Sequence, residues 1–411
     1  MRAYLSRILA VCLALVVLAP LARAQDDDSL IHEAGPFAIP YTSRDLGALC
    51  RAVGFDQEQT GSARTLHQGY RAAYRGASTK ARKQMQEVET KAREGQDWSE
   101  YAKKRGELTI AYVEDIRKLE AGLLDDLKAL CTPAQVARFP SAERARRRET
   151  GLILALGNGE RLDLASMLET LKIDRHASPT VEELLTRWET DVDRLLQEKD
   201  KLIHEGMKAT MGGAMDADRM EKMKKFTTDL ATLCSRVGEA NRRAATELQG
   251  LLPEGQRDAF AAEVKLRSFP RIYGPSVVTK AIKTAQDMKG LTGDQQAKLK
   301  ELSESYQREA GPINNRWAAA AEEKQRQLVN NFMEMMQNDG GKDPADPFVA
   351  ARKERRDLDE KYHAKIESLL TAEQKAQLPK AEPHRGDIPE FLPDFEAEIK
   401  DRWDQWKGEG D

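Results

Sequence analysis

The sequence predicts an all-α chain of three tandem long helical-hairpin units with short flanking helices. Three observations lead there. Apolar residues recur at steps of three and four over long stretches, as one face of a helix requires. Charged residues make up 32% and aromatic residues 6% of the 411 residues, the balance of long solvated helices with thin apolar seams. The apolar positions also repeat. Phe55, Ile173 and Leu291 lie 118 residues apart, as do Leu46, Leu164 and Ile282, then Leu66, Leu184 and Leu302, and Tyr70, Trp188 and Tyr306. Leu251, Leu252, Gln256 and Phe260 return after 118 residues as Leu369, Leu370, Gln374 and Leu378, while Gln135 and Phe139 precede Gln256 and Phe260 by 121.

Taken in order, the chain begins with a basic pair, Arg2 and Arg7, an apolar run from Ile8 to Leu21, and Ala22-Arg23-Ala24. That pattern predicts a secretory signal peptide over residues 1–24, cut between Ala24 and Gln25. The run is short for a membrane span. With no other long apolar run, the mature chain is expected to be soluble, in the periplasm or secreted, with no membrane span. A linker (25–40) leads to unit 1 (41–157), unit 2 (158–274) and unit 3 (275–392), and a tail (393–411) carries a short aromatic helix with Phe395, Ile399, Trp403 and Trp406.

Unit 2 shows the pattern best. Val181, Leu185, Trp188, Val192 and Leu195 mark an outgoing helix; Phe226, Leu230, Leu233, Val237 and Leu248 mark a return helix; Gly212-Gly213 breaks them apart. A short turn makes the two antiparallel, with their seams buried on each other. Tyr112, Ile116, Leu123 and Leu127 mark the return helix of unit 1, and Phe348, Leu358, Tyr362 and Ile366 that of unit 3. Gly311-Pro312 is expected to kink or break the outgoing helix of unit 3. Linkers are expected near Gly157-Asn158-Gly159 and Tyr273-Gly274-Pro275.

Helix starts carry a recurring signal. Leu370-Thr371-Ala372-Glu373-Gln374 and Leu291-Thr292-Gly293-Asp294-Gln295 match fully; Cys131 to Gln135, Phe55 to Gln59 and Leu252 to Gln256 match loosely. Thr371 with Gln374, Thr292 with Gln295 and Thr132 with Gln135 have capping-box spacing, and Asp56 with Gln59 is its carboxylate form. Asp174 is expected to cap unit 2, where Ala177 lacks the reciprocal amide, and Pro253 removes a cap hydroxyl. Helix initiation explains the spacing without any ligand.

This Leu-Thr-x-x-Gln pattern, twice per unit around a long hairpin, resembles the LTXXQ-motif family of Spy/CpxP-like periplasmic proteins. The resemblance implies small all-α proteins acting in envelope stress, as ATP-independent chaperones or as stress and metal sensors. Those relatives are single units that dimerise into a cradle, whereas three units are fused here. The motif alone transfers no ligand-binding residue.

An antiparallel hairpin brings Cys50 and Cys131 to one end of unit 1, so a disulfide between them is expected in an oxidising compartment. Cys234, beside the seam of unit 2, reads as a small packed residue. Methionines concentrate at two hairpin tips: Met207, Met211, Met215, Met220 and Met223 in unit 2, and Met333, Met335 and Met336 in unit 3. Packing of hairpin ends is the first reading, contact with client proteins the second. Soft-metal capture with His204 is the third.

The run Arg144-Ala145-Arg146-Arg147-Arg148 reads as a solvated helix face, and a net charge of −3 gives no general attraction to nucleic acid. Glu360 and His363 have the spacing of a di-iron ligand pair without a second such pair, and His204-Glu205 lacks the second histidine of a zinc protease motif. Arg385-Gly386-Asp387 reads as a chance tripeptide in a polar tail. No nucleophile, phosphate-loop or dinucleotide signature is present, and no cofactor is expected. The expectation is a non-enzymatic periplasmic binding protein, a chaperone or adaptor for unfolded or envelope proteins. A structural scaffold and a soft-metal stress sensor are the alternatives.

Overall fold

Thr42 starts the first described helix. Its hydroxyl accepts from Asp45 N–H, and Asp45 accepts from Thr42 N–H, a closed capping box for α1 (Ser43–Val53). The computed structural model describes residues 39–151, 155, 158–176, 178–211, 216–337 and 346–379, with 326–337 described by their helical backbone. Regular structure among the described residues is α-helical throughout. The expected signal segment, most of the linker, Met215, the Arg385 tripeptide and the tail helix lie outside the described residues, as do the side chains of Met333, Met335 and Met336.

Gly54, with φ +81°, ends α1 in the left-handed region, and Asp56 caps α2 (Gln57–Gly95). At 39 residues, α2 is roughly 58 Å long. Asp97 caps α3 (Trp98–Ala129). The two are antiparallel. Gln59 near the start of α2 bonds Leu130 O just past α3, and midway Tyr112 Oη donates to Tyr74 Oη at 3.3 Å and meets Ser78 Oγ at 2.9 Å. Tyr70, Tyr74, Ala81 and Met85 of α2 are buried, as are Tyr112, Val113, Ile116, Leu123 and Leu127 of α3. Two flanking helices follow, α4 (Pro133–Val136) and α5 (Phe139–Gly151), the latter packing back on α1.

The order then recurs: α6 (Leu164–Thr170), α7 (Pro179–Thr210), α8 (Ala217–Leu251), α9 (Glu254–Ser268), α10 (Pro270–Tyr273), α11 (Val277–Gln286), α12 (Gly293–Gln337), α13 (Pro347–Leu369) and α14 (Ala372–Lys375). α7 and α8 are antiparallel. Trp188 meets Asn241 near one end, and Arg219 Nε donates to Thr210 O at the other. α12 and α13 are antiparallel as well: Tyr306 donates to Asp359, and Lys324 pairs with Asp346.

Contact density divides the chain into two units. One holds the described residues up to Ala155 with Glu189–Leu233; the other holds the described residues of Leu156–Trp188 and Cys234–Pro393. In the second unit, Val278, Ile282, Leu299, Tyr306, Leu358, Tyr362 and Ile366 form one apolar cluster, and Ile272, Trp317, Ala318 and Phe348 form another.

Two backbone features keep the sequence period. Gly54 (φ +81°), Lys172 (φ +55°) and Gly290 (φ +86°) are left-handed at intervals of 118 residues. Lys172 holds that conformation with a Cβ, at a cost of about 1 kcal/mol. The aromatic on each outgoing helix is also tied to a turn about 29 residues back, directly or, for Trp188, through Asn241. Tyr41 N–H donates to Tyr70 Oη at 3.0 Å. Trp188 Nε1–H donates to Asn241 Oδ1 at 2.8 Å, and Asn241 Nδ2 donates to Gly159 O and Glu160 O. Ser276 Oγ and Tyr306 Oη lie 2.7 Å apart. Gly238 lets the second of these turns come close, since a Cβ there would stand 2.8 Å from Asn158 O.

Four expectations are corrected. Cys50 and Cys131 are free thiols, not a disulfide. The Cys131 thiol, just past the end of α3, turns back to Leu127 O at 3.6 Å, and Gln59, not Cys50, closes on the end of α3. The arginine run is not a solvated face. Arg146 sits against Asp45 and donates to Pro40 O, Arg147 holds Asp193 with two bonds at 2.7 and 3.2 Å, and Arg148 is buried beside Glu189. Of the kink or break expected at Gly311-Pro312, the break does not occur: α12 continues through Pro312 to Gln337. Both Pro312 and Arg308, whose carbonyl loses its N–H partner, are exposed, so water can take that bond. Finally, Ser178 rather than Asp174 caps α7, its Oγ accepting from Val181 N–H at 3.2 Å. Pro179 disfavours helical geometry at the residue before it, which fixes the start there.

Ile366 is fully buried between α12 and α13. Ile366→Ala should lower stability by about 2–5 kcal/mol. Urea unfolding followed by circular dichroism should show one transition moving to lower urea, with Glu89→Ala on an exposed helix face as the near-silent control.

Candidate functional site

The hairpin bases carry the most closely specified polar geometry. In the first hairpin, Asp56 and Thr132 open α2 and α4 with complete capping boxes, which fixes the side chains of Gln59 and Gln135. Each amide oxygen accepts from its own cap N–H, Asp56 N at 3.1 Å and Thr132 N at 2.9 Å. The two amides then bond each other in both directions, Gln59 Nε2 to Gln135 Oε1 at 2.8 Å and Gln135 Nε2 to Gln59 Oε1 at 2.9 Å. Their remaining N–H groups reach backbone carbonyls, Leu130 O for Gln59 and Gly54 O for Gln135. The capping residues thus also clamp the outgoing helix to the end of the return helix.

The third hairpin repeats the arrangement. Thr292 and Thr371 N–H each donate to the amide oxygen of their own box, Gln295 and Gln374, at 2.9 Å. Gln295 Nε2 donates to Leu369 O at 2.8 Å and to Gln374 Oε1 at 3.1 Å.

The second hairpin departs from it. Position 177 is alanine, and Pro253 at the start of α9 has no N–H to offer and makes no side-chain cap bond. Gln256 therefore lacks both the partner amide and the cap N–H that its counterparts use. Arg257 binds the end of α8 instead, Nε to Leu252 O at 2.9 Å and a terminal nitrogen to Gly250 O at 3.2 Å. Beside this end a groove of about 400 Å³ opens between α7 and α8. It is lined by Thr180, Glu183, Leu184 and Arg187 on one side and Glu247, Gly250 and Leu251 on the other. Arg187 and Glu247 pair across it at 2.6 Å, and Leu251 is 42% exposed. Neither Arg257 nor the groove had a local sequence signal; the departure from the 118-residue register was the one pointer.

At the tip of the second hairpin, the described methionines differ in burial. Met207 is buried, whereas Met211, Met220 and Met223 are half-buried. His204 lies 3.9 Å from Glu114, but Lys208 holds that carboxylate at 2.7 Å. Burial, then the charges of Arg117 and Lys208, push the His204 pKa below its ordinary value against the opposing pull of Glu114. Phe226 packs over Gly206, where a Cβ would collide with the ring. The tip of the first hairpin carries a feature the sequence reading passed over: Trp98 is 56% exposed and stands edge-on to Tyr101. Cys234 is buried, as a packed residue should be. His363 lies 3.4 Å from Glu367, one turn on. Among the described residues no group of three or more His, Cys, Asp or Glu side chains is placed to hold a metal ion, and no helix is long and apolar enough to cross a membrane.

Compared with known proteins, the chain matches no family model, no curated protein and no solved structure.

Two outcomes follow from these geometries. Gln59→Leu removes a donor from Leu130 O and from Gln135, and should destabilise the first hairpin by about 1–2 kcal/mol. Gln256→Leu should be close to neutral in the same denaturant titration. Separately, proton NMR should find His204 titrating below about 6.5. Lys208→Ala should raise that value, because it removes a positive charge and frees Glu114 for the imidazolium.

Proposed function

We propose that this chain is a non-enzymatic helical binding protein acting outside the cytoplasm, as an ATP-independent envelope-stress chaperone or adaptor. Its described helices read as three copies of one hairpin unit. The left-handed residues at 54, 172 and 290 support that reading, as do the aromatic ties of Tyr70, Trp188 and Tyr306. The secretory signal in the sequence supports the compartment, and the Leu-Thr-x-x-Gln resemblance supports the role.

One observation carries the functional reading. The buried Arg355 is committed to its neighbours, bonding Asp359, Tyr306, Asn314 and Ile272 O. Among charged neighbours, the hairpin ends also offer apolar, adaptable side chains: exposed Trp98 at one tip and half-buried Met211, Met220 and Met223 at another. Methionine repacks around varied partners and tryptophan offers large contact area, the qualities a binder of non-native proteins needs.

The mature chain should suppress aggregation of a chemically denatured model client at near-equimolar ratio without ATP, measured by light scattering. Trp98→Ser should weaken the suppression several-fold while leaving circular dichroism unchanged. Inactivity of the unmutated chain would favour a scaffolding role.

A further inference from the structure

We propose that the arginine face of α2 is a docking surface whose occupant is residues 394–411 of the same chain, an acidic segment with an aromatic face. The contact is internal to the chain and holds for a chaperone and a scaffold alike.

Residues 59–86 of α2 carry six basic side chains, Arg64, Arg71, Arg75, Lys80, Arg82 and Lys83, and no carboxylate. Other helix surfaces of this protein balance such charges locally, as Arg194 does with Glu198, Lys225 with Asp229 and Lys353 with Asp357, each one turn on. On α2 the one-turn neighbour of Arg71 is Arg75, and like charges at that spacing repel. The four arginines step by seven, four and seven. They therefore fall within about 40° of one another, in a row roughly 27 Å long. Arg64, Arg75, Lys80 and Lys83 are exposed and make no ion pair among the described residues. A segment that brings carboxylates along this row relieves the repulsion.

Residues 394–411, outside the described residues, have the matching chemistry. They carry seven carboxylates against three basic groups. Phe395, Ile399, Trp403 and Trp406 share one face of the helix that their spacing predicts, and Asp394, Glu398 and Asp401, at steps of four and three, line one edge of that face. Along α2, the acidic edge meets guanidinium groups that take carboxylates with two bonds, and the indole rings meet the flat faces of the same groups. Arginine favours both contacts over lysine. Ala72 and Gly76, exposed beside the row, leave room for the rings. Each exposed ion pair is weak, but a tethered segment acts at an effective concentration of roughly millimolar, so weak pairs suffice. An acidic partner segment reaches these arginines only by displacing residues 394–411.

The test is limited chymotrypsin digestion of the full mature chain, read by intact mass, at cleavage after Phe395, Trp403 and Trp406. Free synthetic peptides of residues 394–411, with and without the same substitutions, set the intrinsic rate for each sequence. Arg64→Glu with Arg75→Glu should release the segment and speed its cleavage at least fivefold toward that rate. Both arginines are exposed, so circular dichroism should not change. Asp394→Arg with Glu398→Arg and Asp401→Arg should remove the protection to the same extent, and combining the two reversals should restore it. Equal protection in all four chains would overturn the proposal, as would failure of the combined reversal to slow cleavage. Protection that falls on dilution would overturn it too, because it would assign the face to a second copy of this chain. So would protection that appears only with phosphatidylglycerol vesicles, which would assign the segment to a lipid surface.

Discussion

The last turn of a helix leaves about four carbonyls without a partner inside the helix, and the first turn leaves as many N–H groups. A long hairpin sets the end of one helix beside the start of another, so both sets of orphans gather at its base. Here a pair of glutamine side chains answers both. In the first hairpin each amide oxygen takes a cap N–H, each amide nitrogen takes a backbone carbonyl, and the remaining groups bond each other. The spacing of cap and glutamine is therefore constrained twice, by the helix start and by the neighbouring helix end. That double constraint explains why four-residue signals recur at hairpin bases.

A second set of polar ties works farther up each hairpin. Tyr70 and Tyr306 each present an apolar ring to the seam and a hydroxyl to a turn some 29 residues upstream, and Trp188 is tied to its upstream turn through Asn241. A buried hydroxyl or indole N–H without a partner is costly, so the ring position and the turn position are fixed together. The short helices α1, α6 and α11 are thereby held against the long ones. The left-handed residues that follow α1, α6 and α11, at 54, 172 and 290, set the angle at which the chain enters each hairpin. Even lysine is held there in the second copy, so the tertiary arrangement outweighs the local strain.

Much of this was legible in the sequence, for a physical reason in each case. The capping boxes are local, so Thr132 with Gln135 and Thr371 with Gln374 can be read within four residues. The seams could be read because helical periodicity reports which face is buried. What the sequence did not disclose depends on direction and distance. Arg146, Arg147 and Arg148 look like a solvated stripe until Asp45, Asp193 and Glu189, remote along the chain, are placed against them. Cys50 and Cys131 belong to one end of a hairpin, but the phase of α3 points the Cys131 thiol at Leu127 O. Of the candidate binding residues, Met207 was indistinguishable from Met211 by spacing, yet one is buried and the other half-buried.

The second hairpin shows how such a clamp is lost as a unit. A carboxamide pair is useful only while both members are present, since either one alone leaves the other to water. With no partner amide among the described residues, Gln256 gains nothing from an exact position, and Pro253 offers it no cap N–H. The carbonyls at the end of α8 must still be met, and Arg257 meets two of them from the α9 side. That solution differs from the glutamine pair in where it stands. The pair spans from return helix to outgoing helix, whereas Arg257 bonds Leu252 O and Gly250 O within its own corner. The ion pair of Arg187 and Glu247 is left to bridge the two helices near the base. Both partners are substantially exposed, and an exposed pair of this kind contributes at most about 1 kcal/mol. The groove lies beside that ion pair, at a base where no glutamine pair is seen among the described residues.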